Sequence, residues 1–251
     1  MTEHLRLEER LEYSPIIDRP ALKLPDQGRM IVWTIVNVEV WDSTRTQPRT
    51  VITPPAGGSP IPDVPNWAWH EYGNRVGFLR LKEVLDSFDV PTTLALNGSV
   101  CAEYPRIAEE ALKADWEIMG HGFSQQSMQK VEAEREDIQK TRDIIKNFTG
   151  TQPRGWLGPA LMETYETVDV LKEEGFEYVS DWVLDDQPVE LKTRAGTLVN
   201  IPYTQENNDV AMMLIQHHKA SEYTDRALDQ LETLYEESLE QPRVMALSCH
   251  P

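Results

Sequence analysis

The chain has 251 residues, 40% of them hydrophobic and 26% charged, with a formal net charge of -18. That length suits one large α/β domain or two small ones and is enough to bury a sizeable core. So acidic a mean field repels nucleic acid, anionic membrane surfaces and strongly acidic polymers, so no nucleic acid and no membrane is expected as a partner, although a local basic pocket is still allowed. No run of 18 apolar residues exists to span a bilayer, and Met1-Thr2-Glu3-His4-Leu5-Arg6 does not lead into an apolar signal segment. Cys101 and Cys249 make neither a disulfide framework nor a C-x-x-C, so a reducing cytoplasm is the expected location.

Residues 1–29 are polar and broken by Pro15, Pro20 and Pro25, which predicts an arm lying over a single domain at 30–251. Residues 30–38 are nearly all apolar or β-branched and read as a strand buried on both faces. Residues 43–68 hold Pro48, Pro54, Pro55, Pro60, Pro62 and Pro65 and read as a long, specificity-shaping loop. Val76, Leu81, Val84, Leu85 and Phe88 then mark one helical face that stops at Val90-Pro91.

Strands follow at 92–96, 116–120, 155–158, 176–180, 198–201 and 244–249. Helices alternate with them around Ile107–Leu112, at 129–148 (Val131, Ile138, Ile145 and Phe148 inward, ended by Gly150), at 164–174 and at 221–240. About seven strands alternating with helices imply a mainly parallel sheet, and an irregular (β/α)7-type barrel gathers its chemistry at the C-terminal strand ends. No internal repeat is present.

Glu39, His121, Asp181, Pro202 and His250 each fall just after a predicted strand. Glu39 is the candidate general base, because a carboxylate desolvated in a barrel mouth can have its pKa raised toward neutrality. His250 is a candidate acid for a departing nitrogen, and His121 a third polar group facing them. Gln125, Arg154, Trp156, Asp181, Tyr203 and Asn208 are the candidate substrate-binding residues. The adjacent His217-His218 cannot easily aim both rings at one ion and reads as lid or surface.

The segments Val36-Asn37-Val38-Glu39-Val40, His121-Gly122-Phe123-Ser124-Gln125 and Leu247-Ser248-Cys249-His250-Pro251 resemble the catalytic motifs of the polysaccharide deacetylase (NodB homology) superfamily. Tyr13–Pro20, Tyr72–Gly77, Thr149–Trp156 and Ile201–Thr204 with Asn208-Asp209 look most like its metal-independent branch of allantoinases and cyclic imide hydrolases. The resemblance implies a barrel that continues beyond the His-Pro dipeptide, so that the C-terminal part is expected to be missing here, and a homo-oligomer.

It also aligns Glu39 with the superfamily's base Asp, Val40 with a metal-ligand Asp, His121 with the first His of a metal pair, Gln125 with the second, and His250 with the last motif's His. Only His121 of those ligands is kept, so no cofactor is expected, and metal-free opening of a small cyclic amide, imide or ureide is the implied activity. The alternatives are a zinc-dependent deacetylase of N-acetylated sugars, which needs ligands such as Asp42 or His217, and a barrel that binds a small molecule without turnover.

Overall fold

The computed structural model describes residues 4–55 and 57–251. β1 (Met30–Val38), β2 (Thr92–Leu96), β3 (Glu117–Gly120), β4 (Gly155–Trp156), β5 (Tyr178–Val179), β6 (Val189–Thr193), β7 (Gly196–Asn200) and β8 (Arg243–Cys249) form one sheet in the order β6-β7-β5-β4-β3-β2-β1-β8. All pairs are parallel except β6 with β7, an antiparallel hairpin at one edge. The other edge, β8, is met by Asn208 opposite Ser248 and by the Asp186 carbonyl, which accepts from Val244 N at 2.8 Å. Asp186 lies just before β6, so the two edges are brought round toward each other and the sheet makes an irregular α/β barrel, as the motif order predicted.

Helices α1 (Val64–Tyr72), α2 (Phe78–Ser87), α3 (Val100–Glu103), α4 (Pro105–Lys113), α5 (Glu134–Thr149), α6 (Thr167–Glu173) and α7 (Ala220–Glu237) connect the strands. Period-2 alternation divides the core. Val36, Val38, Leu94, Leu96 and Ile118 pack outward against Phe78, Ile107 and Ile145 of the helices. Ile35, Ala95, Met119, Leu157, Tyr203 and Ala246 fill the barrel interior. Each large apolar side chain so buried contributes about 1.5–3 kcal/mol.

Several expectations need correction. The first half of β1 is not buried on both faces: Ile31 is 40% and Val32 49% exposed, because they emerge at the rim where the strand enters the barrel. The proline-rich segment ends earlier than predicted, since Asp63 accepts from Asn66 N and caps α1 with Pro65 in its first turn. Next, Gly73–Gly77 is a π-helical turn that rotates the following face. Phe78 is consequently the fully buried anchor of α2, while Phe88 is 76% exposed. Val131 lies outside α5, and β6 was not foreseen.

The N-terminal segment is tied down by one buried residue. Arg10 Nη2 donates to Asp169 Oδ2 at 2.7 Å, and its backbone carbonyl accepts from Lys192 N at 2.6 Å, against β6. An arginine this deep needs such a partner, since an unpaired buried charge costs several kcal/mol.

Candidate active site

The alternation that fills the barrel also aims its chemistry. Ile35 points inward, so Asn37 and Glu39 do as well; Met119 sets His121 inward, and Ala246 sets Ser248 and His250 inward. Three groups from β1, β3 and β8 therefore meet at the C-terminal ends. Glu39 Oε1 lies 3.9 Å from His121 Nε2 and 3.9 Å from His250 Nε2. Those distances are too long for hydrogen bonds.

Each member is oriented from behind. Trp41 Nε1 donates to Glu39 Oε2 at 2.6 Å, leaving Oε1 to the histidines. His70 Nε2 donates to the Glu39 carbonyl at 2.9 Å, and its ring stacks on Trp41 at 4.5 Å. His121 Nδ1 donates to the Leu157 carbonyl at 2.5 Å, which leaves an open lone pair on Nε2 when the ring is neutral; that buried atom has no partner among the described residues. His250 is gripped by Asp209, which accepts from His250 N and from His250 Nδ1, both at 2.6 Å. Gly122 follows His121 at φ +70, and a Cβ there would lie 2.8 Å from Pro159 Cγ, so the turn requires glycine.

Electrostatics overturn one expectation. Burial alone would push the Glu39 carboxyl up, but His121, His250 and His70 outweigh it and bring it down to about 2. Glu39 is a fixed anion, not a carboxyl poised near neutrality. Burial pulls the other way on His250, yet Asp209 and Glu39 together hold its pKa above the ordinary imidazole value. Burial lowers that of His70.

The resemblance raises the question of a metal, and of the positions it aligns with ligands only His121 carries a ligand side chain. Val40, one place beyond Glu39, points to the opposite face and packs among Val38, Phe78 and Leu96. Gln125 offers an amide, a poor ligand for zinc. Asp42 is turned to Thr44 and Arg45. Apart from Glu39, His121 and His250, no three His, Cys, Asp or Glu side chains among the described residues are grouped to hold an ion.

The site opens into a cavity of about 480 Å³, whose wall includes Gln125, Tyr203 and Asn208, as the sequence suggested. The other three candidate binding residues lie elsewhere. Arg154 precedes β4 and so sits at the opposite end of the barrel, 67% exposed and paired with Glu177 at 2.7 Å. Trp156 is fully buried against Phe176 in the core. Asp181 does not line the cavity; buried beside Glu163 and pushed up to about 6 by that burial, it accepts from Gly158 N at 2.6 Å and so supports the wall from below. His218 engages Arg226 at the surface, and neither His217 nor His218 lines the cavity.

Sequence reasoning missed Arg49, His70, Asn74 and Asp209, which all line the cavity. Of these, Asp209 and Asn74 stand in motifs already singled out, beside Asn208 and within Tyr72–Gly77, and Arg49 stands in the specificity-shaping loop, while His70 carried no signal.

Fold and geometry together define a barrel whose site is a carboxylate between two histidines. Residues 71–179 match the family model for polysaccharide deacetylase. A Schizosaccharomyces pombe protein assigned to the polysaccharide deacetylases is 29% identical over 199 residues, 72% of this chain. The chain spans only 62% of that relative's length. Among solved structures, Puue allantoinase superposes with a TM-score of 0.79 at 23% identity, covering 96% of this chain and 85% of its own. A Pseudomonas aeruginosa protein assigned to the polysaccharide deacetylases gives 0.80 at 22%, covering 94% and 84%. These two likenesses establish the fold.

Proposed function

We propose that this domain hydrolyses a carbon–nitrogen bond of a small cyclic amide, imide or ureide without a resident metal ion. The observation that carries the reading is the pairing of an intact Glu39–His121–His250 convergence with Val40 packed in the core. A simple acetamide has a poor leaving group and calls for a Lewis acid. In an imide or ureide the leaving nitrogen is flanked by a second carbonyl that spreads its charge, so positioned acid–base groups suffice.

The protons are assigned by the contacts. Water attacks a ring carbonyl and gives a proton to His121 Nε2, the lone pair left open by the Leu157 contact. Glu39 stays ionised and stabilises the imidazolium that forms. Its pKa of about 2 suits this role better than that of base. The tetrahedral intermediate then collapses, the ring C–N bond breaks, and His250 gives its Nε2 proton to the nitrogen. Gln125 Oε1 accepts from Asn97 Nδ2 at 3.5 Å, which turns the Gln125 NH₂ group toward the cavity as a donor for the developing oxyanion.

The test is turnover on hydantoin, succinimide, allantoin and an N-acetylglucosamine oligomer. Ring opening with an inert oligomer supports the reading. Deacetylation of the oligomer with all rings inert overturns it in favour of the sugar deacetylase, and binding of a ring with no turnover of anything points to a non-catalytic barrel.

A further inference from the structure

The acid–base groups occupy one side of the cavity. On another wall, the proline-rich loop places Arg49, half-buried. Acidic residues outnumber basic ones 42 to 24 in this chain, and other arginines find partners. Arg10, Arg19 and Arg45 pair with carboxylates, Arg29 lies over Tyr235, and Arg226 bonds to Glu206 and Gln216. Arg49 alone among the described arginines has no hydrogen bond, ion pair or aromatic partner to a described residue.

Its charge is also felt by His250, whose protonation it opposes. Two cations thus face one cavity that is larger than a five-membered ring needs. Such an arrangement is relieved by an anion, and the planar guanidinium fork matches a carboxylate in a bidentate pair.

We propose that Arg49 binds a carboxylate carried on the substrate ring, so that the preferred substrates are cyclic ureides or imides with an anionic tail. This inference rests on the ring-opening reading. Glu39 and Asp209 on the far wall repel the same carboxylate, which directs the tail toward Arg49 and the ring toward the histidines.

Three substrates that share one ring isolate the tail: hydantoin has none, allantoin a neutral ureido tail, and 5-carboxymethylhydantoin a carboxylate. Wild-type kcat/KM is expected to be at least tenfold higher for the carboxylated ring than for the other two, mostly through KM. Arg49→Met should remove that ratio and Arg49→Lys should keep part of it. No preference for the carboxylate overturns the inference. An equal loss on all three rings in Arg49→Met also overturns it, because Arg49 would then serve the carboxylate that ring opening creates.

Calorimetric binding of the opened products, N-carbamoylaspartate against N-carbamoylglycine, needs no turnover. Tighter binding of the dicarboxylate that Arg49→Met abolishes, in an enzyme that opens no ring, upholds the anion site and sinks the ring-opening reading. Equal binding of the two products sinks the anion site itself.

Discussion

Two neighbouring regions at the top of the barrel are built on opposite plans. On one side, Glu39, His121, His250 and Asp209 are ionisable, oriented and open to the cavity. On the other, around Val40 and Gln125, the ends of β1 and β3 are sewn together by amides. Asn97 Oδ1 accepts from Val40 N at 2.8 Å, Asn97 Nδ2 donates to the His121 carbonyl, and Gln125 N donates to the Val40 carbonyl at 3.0 Å. Asn97 is fully buried. The comparison teaches that a buried amide can tie the ends of two strands together without aiming a charged side chain at the cavity.

The largest expected effects test the charged side. His121→Ala should lower kcat by about 10²–10⁴-fold as the loss of a general base, and Glu39→Gln by about 10²–10³-fold as the loss of a fixed anion. An unchanged kcat in either would break the assignment. Asp209→Asn comes next and acts through His250. His250 must be protonated to serve as acid, so kcat/KM falls as pH rises through its raised pKa. Removing the Asp209 charge lowers that pKa and should move the fall to lower pH by about one unit, with the acid limb unmoved; a purely structural role would lower the whole profile without displacing it.

The sewn side predicts stability effects. Asn97→Ala strands the Val40 amide and the His121 carbonyl and should cost about 2–4 kcal/mol, read from urea denaturation. A loss below 1 kcal/mol would mean that the loops hold without it. The smallest effect is expected for Arg154→Ala at the far end of the barrel: kcat/KM unchanged, and stability altered by less than about 1 kcal/mol because the Glu177 pair is exposed.

Much of the active side was legible in the sequence because strand periodicity carries it. The apolar run at 30–38 fixes which face Asn37 and Glu39 share, and the same logic places His121 and His250. The departures at Val40 and Gln125 were equally visible. What failed has physical reasons. Val189–Thr193 reads Val-Glu-Leu-Lys-Thr, an exposed edge strand too polar to stand out. Arg154 precedes and Trp156 ends a two-residue strand, too short for sequence alone to say which end or face of the barrel a side chain meets. Arg49 and Asp209 lie in segments without strand periodicity, so the loop and the motif were legible but not which of their side chains face the cavity. The Glu39 pKa depends on three histidines from distant parts of the chain, and no local pattern reveals their convergence.

The central claim is the proposed ring opening without a resident metal, and the most direct test is metal content measured alongside ring-opening activity before and after exhaustive chelation. The account predicts hydantoin-type turnover that survives with less than a tenth of an equivalent of bound metal. Stoichiometric zinc, with activity lost to chelator and restored by zinc, would contradict it.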